Sequence, residues 1–247
     1  MTSLMGSSVL VTGASRGIGK AIAVAMGNAG ARVALVADSD STEVCRLITD
    51  AGGEARPYSV DVSEEDQVRE LFEAVLSDFG TVNVLVNNAG VQLEKPLLET
   101  DLSEFDWVMD TNVRGTFLMG REAIRHMIEK GVSGRVINIA SDLAYLGREQ
   151  FSVYCASKAA VLSLTKSWAR EFAPDILVNS ICPGPIDTDM LKVENMSPQW
   201  LAKESDIPLG RIGQPEEISG LAVFLAGPDS TFITGQGIGV NGGSVMP

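Results

Sequence analysis

Short β-rich runs alternate with longer helical patterns along the whole chain, and few folds accommodate that rhythm. The runs Ser8–Thr12, Arg32–Ala37, Ala55–Val60, Asn83–Asn87, Arg135–Ala140, Ile176–Ile181 and Gln236–Val240 are rich in Val and Ile. They are nearly continuous rather than alternating, as strands covered on both faces are. Helical patterns fill the intervals at Gly17–Ala29, Ser41–Ala51, Glu64–Phe79, Leu102–Lys130, Phe151–Phe172 and Glu216–Ala226. Ser63 with Asp66, and Pro215 with Glu216 and Glu217, signal helix starts. This alternation predicts an α/β fold with a parallel sheet and helices on both faces. A length of 247 residues suits one domain over 1–247.

The stretch 187–210 breaks the rhythm. It carries Pro198 and Pro208 among Met190, Leu191, Met196, Trp200 and Leu201. A segment that long without a strand is expected to be a functional loop, and its apolar residues need something to cover. It reads as a substrate lid, with Met190 and Leu191 as pocket walls beside Leu143.

Lys plus Arg number 19 and Asp plus Glu 32, a net charge of −13. That balance argues against nucleic acid or an anionic membrane as partner. Cys45, Cys155 and Cys182 form no CxxC pair and are odd in number, which suits a reducing compartment. His126 is the one histidine, so a multi-histidine metal site is excluded and no metal is expected. Set among Arg125, Glu129 and Lys130, it is expected on a solvated face. Trp107 and Trp168, with the Met and Leu residues of the long helices, are expected in the core or at a subunit interface. Met1–Ser8 has no basic leader region, and no apolar run approaches the ~20 residues that span a bilayer. The expectation is a cytoplasmic protein.

The first run leads directly into Thr12-Gly13-Ala14-Ser15-Arg16-Gly17-Ile18-Gly19, and a helix follows. Glycines there allow a tight turn and close approach to a pyrophosphate, and the helix N-terminus offers free N–H groups. Gly13, Ser15, Arg16, Gly17, Ile18 and Gly19 are candidate cofactor residues. Asp38 stands 21 positions after Gly17, where a carboxylate would bond a ribose 2′-hydroxyl and repel a 2′-phosphate. Arg16 could instead reach a 2′-phosphate. The lean is toward NAD, with NADP open.

Tyr154 and Lys158 lie four residues apart in a helical pattern and share a face. A neighbouring ammonium is expected to lower the tyrosine pKa and make it a usable general acid/base. Ser141 follows a strand at its carboxyl edge, where ligands bind in a parallel sheet, and could bond a substrate oxygen. Asn88, Ala89 and Gly90 close another strand at that edge and suit contact with a cofactor ribose, or simply a turn. Asn112 interrupts the Leu102–Lys130 helix with low helix propensity. A functional, kink-forming or structural role is open from that residue alone.

In order, Thr12-Gly13-x-x-x-Gly17-x-Gly19, Asp61-Val62, Asn87-Asn88-Ala89-Gly90, Asn112, Ser141, Tyr154-x-x-x-Lys158 and Pro183-Gly184-Pro185-Ile186-x-Thr188 run through the chain. This set resembles the short-chain dehydrogenase/reductase family over nearly the whole length. The ending Ile233-Thr234-Gly235-Gln236 with Val240-Asn241-Gly242-Gly243 resembles that of 3-oxoacyl-carrier-protein reductases and their relatives. The resemblance implies a doubly wound Rossmann-type sheet of about seven strands, a nicotinamide dinucleotide and a homotetramer. It implies that Asp61 and Val62 hold the adenine, and that Asn88 to Gly90, Pro183, Gly184, Ile186 and Thr188 line the cofactor. Ser141 would position the substrate oxygen, Tyr154 exchange the proton, and Lys158 bond the ribose. Asn112 would hold a relay water.

Two departures bear on the substrate and cofactor. The acidic ribose reader of NAD-dependent members falls where this chain has Ala37, with Asp38 one residue later. The stretch Arg170–Ile176 carries Pro174-Asp175 where carrier-protein reductases tend to have a basic residue. The sequence thus favours interconversion of a small secondary alcohol and ketone. The alternatives are a 3-oxoacyl-carrier-protein reductase, a non-catalytic dinucleotide-binding regulator, and a halide-eliminating relative without a dinucleotide. Intact Ser141, Tyr154 and Lys158 argue against the regulator, and the glycine loop against the last.

Overall fold

A computed structural model describes residues 3–247; Met1 and Thr2, which begin the stretch read as free of a leader, lie outside them. Seven strands form one sheet: β1 Ser8–Thr12, β2 Arg32–Ala37, β3 Glu54–Ser59, β4 Val84–Asn87, β5 Gly134–Ile139, β6 Ile176–Pro183 and β7 Gly237–Val240. Each matches a Val- and Ile-rich run within two residues at either end, and all pairings are parallel. The order β3-β2-β1-β4-β5-β6-β7 reverses direction between β1 and β4, and ligands of such sheets bind at that reversal.

The inner strands are buried because both faces are covered, while the edge strand β3 is largely exposed. One core layer joins Val9, Val11, Val33 and Leu35 to Ile22, Met26 and Ile218. These last residues lie on α1 (Gly17–Asn28) and α8 (Pro215–Ala226); α2 (Thr42–Asp50) adds Val44 and Ile48. The other layer joins Leu10, Leu85 and Val136 to Leu71, Met119 and Trp168. Those come from α3 (Glu65–Phe79), α5 (Thr116–Lys130) and α6 (Ser152–Phe172). Burying a Leu or Ile side chain contributes roughly 1.5–3 kcal/mol, so the two layers dominate the stability.

The structure corrects two expectations and refines two others. The helix read as Leu102–Lys130 is α4 (Leu102–Met109) and α5 joined by a wide π turn over Asp110–Gly115. An Asp101–Glu104 capping box starts it. The 187–210 stretch contains a short helix, α7 (Pro198–Glu204), with Pro198 at its first turn and Ser197 Oγ accepting from Trp200 N at 3.2 Å. His126 is buried rather than solvated: its Nε2 accepts the Val82 N–H at 3.2 Å. The flanking charges point outward while the ring closes the α5–β4 corner. Trp168 is core, but Trp107 is half exposed, so it does not belong to this chain's core. Among the described residues no helix is long and apolar enough to cross a membrane.

Candidate active site

The carboxyl ends of β1 and β4 are tied through one side chain. Thr12 Oγ1 accepts from Asn88 N and from Ala89 N, both at 2.9 Å. Asn88 Nδ2 donates to the Thr12 and Gly13 carbonyls at 2.9 and 3.2 Å. A Cβ at Gly13 (φ +63°) would sit 2.8 Å from Asn88 Nδ2, and one at Gly19 would run into the Gly13 carbonyl. At Gly17 (φ +55°) it would approach Thr188 Cγ2 to 3.3 Å. Glycine is therefore required for the loop to fold this tightly. No side chain caps the N-terminus of α1, so its first N–H groups remain for a ligand. This cradle fits the phosphates of a dinucleotide, with Gly13 to Gly19 on one side and Asn88 to Gly90 and Thr188 on the others.

Around this loop, Ser15 Oγ meets Ser39 Oγ at 2.9 Å, and exposed Asp38 directly follows β2. Arg16 lies 3.9 Å from Asp189, directed toward the 187–210 stretch. Asp61 Oδ1 accepts from Ser63 N and Oγ ahead of α3, and Val62 packs against Gly115 of the π turn. Pro183 ends β6, and Gly184, Ile186 and Thr188 follow it at the same edge; Ile186 is buried. Thr188 Oγ1 accepts from Leu191 N at 3.4 Å, and Met190 is half exposed.

Ser141, Tyr154 and Lys158 are all more than nine-tenths buried. Ser141 sits just past β5, while Tyr154 and Lys158 lie one turn apart on the inner face of α6. Lys158 Nζ donates to the Ile139 carbonyl at 2.9 Å and lies 5.7 Å from the centre of the Tyr154 ring. A Cβ at Gly90 would come within 3.4 Å of that Nζ, so the β4 loop and the lysine adjoin. Asn112 Nδ2 donates to Val91 O at 2.9 Å and to Ser157 Oγ at 3.0 Å, and its Oδ1 accepts from Val91 N at 2.8 Å. The residue is 1% exposed. Its side chain clamps the π turn to α6 and the β4 loop.

Burial governs the ionisation of the pair. It pushes the Tyr154 phenol up to about 12, with the Ser141 hydroxyl pulling it down and the Asp142 carboxylate pushing it further up. It pushes the Lys158 ammonium down to about 8. The net direction for Tyr154 is upward, against the lowering expected from Lys158. The ammonium is aimed at Ile139 and lies to the ring side of the phenol, and desolvation disfavours both charged forms.

Asp142 was not among the residues singled out from the sequence. It is buried, and its Oδ1 accepts from Ser141 Oγ at 3.1 Å while its Oδ2 accepts from Ser244 Oγ at 2.6 Å. Adjacency to Ser141 was its one visible signal, since a carboxylate in a loop ordinarily reads as solvated. The roles of Thr12, quoted only as part of the glycine motif, and of Ser157 rest on tertiary hydrogen bonds in the same way.

The short-chain alcohol dehydrogenase model described as enoyl-(acyl carrier protein) reductase matches residues 13–245. The 3-oxoacyl-[acyl-carrier-protein] reductase FabG of Vibrio cholerae is 38% identical over 245 residues, 98% of this chain and 99% of that protein. A short-chain type dehydrogenase/reductase from Mycobacterium marinum superposes with a TM-score of 0.94 at 40% identity, covering 99% of this chain and 98% of that one. The 3-ketoacyl-(acyl-carrier-protein) reductase of Brucella melitensis, solved with NADH, superposes with a TM-score of 0.91 at 35% identity, covering 99% of this chain and 100% of that one. Sequence, sheet order and cleft agree, and the chain belongs to the short-chain dehydrogenase/reductase family of NAD(P)-dependent oxidoreductases.

Proposed function

We propose that this enzyme interconverts a secondary alcohol and a ketone on a small molecule, with Tyr154 as general acid/base. The observation that carries this reading is the convergence of buried Ser141, Tyr154 and Lys158 beside the β1/β4 reversal. Ketone reduction moves the Tyr154 Oη proton onto the substrate oxygen, and alcohol oxidation returns it. Ser141 Oγ holds that oxygen, which stabilises developing charge in a water-poor site. When bound, the nicotinamide supplies or accepts the hydride.

Gly13, Ser15, Arg16, Gly17, Ile18 and Gly19 would hold the phosphates. Asp61 and Val62 would hold the adenine, and Asn88, Ala89 and Gly90 a ribose. Pro183, Gly184, Ile186 and Thr188 would line the nicotinamide side, with Tyr154 and Lys158 completing the cofactor contacts. Asn112 would hold a relay water near Lys158. Asp38 favours NAD, because its carboxylate opposes a 2′-phosphate, and Arg16 is directed at Asp189 instead. Residues 187–210 would close over the substrate, with Leu143, Met190 and Leu191 as walls. Exposed Phe117 and Ile128 on α5 border a groove with Trp168 and Phe172 of α6, which supports self-association as a homotetramer. The protein would work in the cytoplasm without nucleic acid.

Similarity to 3-oxoacyl-carrier-protein reductases favours a second reading, reduction of a carrier-bound ketone. Against it, an acidic carrier would meet a surface of net charge −13. Rates on free ketones and on acyl-carrier thioesters separate the two.

Fluorescence titration with NADH and with NADPH tests the cofactor assignment; NADH should bind more tightly. Tyr154→Phe should keep that binding and lose about 10²–10⁴-fold in turnover, the worth of a positioned acid/base. Retained turnover in that variant, or binding of neither nucleotide, would overturn the reading.

A further inference from the structure

Asp142 is a buried carboxylate beside the reacting groups, and no step above uses it. Its two oxygens are held by two hydroxyls. Ser141 Oγ donates to Oδ1, and Ser244 Oγ, from the C-terminal segment, donates to Oδ2. Ser141 Oγ also accepts from Leu143 N at 3.1 Å. A serine hydroxyl has a single proton. While Asp142 is ionised, it competes with Tyr154 and with a substrate oxygen for that one proton.

Every element packed around Asp142 brings an identifiable group. Its own turn brings Ser141 and Leu143 N, and the loop before α6 brings the Arg148 guanidinium. Tyr154 faces it from α6 and Cys182 from β6, and both feel its charge. Arg148 is itself tied to Glu204 of α7 and feels Glu94.

We propose that Asp142 is a positioning residue for Ser141. Ionised, it turns the Ser141 proton away from the substrate oxygen and opposes charge on Tyr154. Protonated, it releases that proton to the oxygen. The proposal rests on the oxidoreductase reading above. Burial raises the Asp142 pKa against the pull of Ser244, Ser141, Leu143 N and Arg148, which brings the protonated form closer to the working range. Ketone reduction, which needs donors on the carbonyl oxygen, gains from protonated Asp142.

Asp142→Asn removes the charge and keeps the shape. In a chain carrying Tyr58→Phe and Tyr145→Phe, Tyr154 is the last of the three tyrosines, and its ionisation is read from absorbance at 295 nm. Asp142→Asn should lower that midpoint by about one pH unit, the effect of one nearby like charge. The acid limb of kcat/KM for alcohol oxidation should move in the same direction. The absorbance titration needs no turnover, so it fails or succeeds independently of the oxidoreductase reading. Ser244→Ala serves where the Asn variant does not fold. Loss of its hydrogen bond should let Asp142 protonate at higher pH and raise kcat for ketone reduction near neutrality roughly threefold, the lower range of one hydrogen bond, with KM held. An unmoved Tyr154 midpoint in Asp142→Asn, or an unmoved kcat and pH profile in Ser244→Ala, would reduce Asp142 to a structural residue and overturn the proposal.

Discussion

At the scale of the residue, desolvation holds the Tyr154 phenol and the Lys158 amine toward their neutral forms. Ser141, Tyr154 and Lys158 are identifiable from type and spacing, and the fold buries all three beside the end of β5. The ionisation of Tyr154 and Lys158 follows from burial, which spacing does not report. The same blindness put His126 on a solvated face: Arg125, Glu129 and Lys130 are exposed beside it, yet its own ring is buried. Lys158 gives this a measurable form. An unfolded lysine titrates at 10.5 and the folded Lys158 at about 8, so between those values the unfolded chain binds the extra proton. Stability therefore climbs as pH rises through that window, until the Tyr154 phenol, raised to about 12, reverses the sign above its ordinary 10. Lys158→Met should abolish turnover yet raise Tm at pH 7, at about 2–4 °C per kcal/mol for a chain this long. Thermal melts from pH 7 to 10 should show the gap closing, and a variant that melts lower at pH 7 would contradict the assignment.

Elements were read best where both faces are buried. Strands β1, β2 and β4 stand out because Val and Leu run on without polar breaks, and helix α8 because Pro215 opens it and Gln214 and Glu217 form a capping box. The π turn at Asp110–Gly115 left no trace except a poorly helical Asn112, since its cause is the pull of Val91 and Ser157 on that side chain. Helix α7 was hidden by the prolines and polar residues around it. It is held from outside: Arg148 forks onto Glu204, Lys203 bonds Glu149 at 2.9 Å, and the Arg148 guanidinium lies 5.7 Å from the Trp200 ring. Breaking a buried ion pair costs about 3–5 kcal/mol, and partial exposure of Arg148 lowers that. Glu204→Gln should therefore loosen 187–210 by about 2 kcal/mol. The expected signs are faster limited proteolysis within 187–210 and a raised KM, with NADH binding kept. Unchanged cleavage would show that α7 is held by other contacts.

At the scale of the molecule, a doubly wound sheet of about seven strands was implied by the family resemblance, while the strand order and the seams between the parts are set by tertiary packing. Residues before Gly80 make β3, β2 and β1 in that spatial order, and residues after it make β4 to β7. The chain crosses between these halves once, through an exposed turn in which Gly80 adopts φ +76°. Across the seam, β1 pairs with β4, α1 packs on α8, α3 on α5, and Thr12 clasps Asn88 and Ala89. The molecule is thus two interlocking pieces joined by one dispensable strap. Fragments 1–80 and 81–247, expressed together, should reassemble into an active enzyme although neither carries a complete site. Co-purification and recovered turnover would measure it, and fragments that never associate would show that the connection itself is needed for assembly.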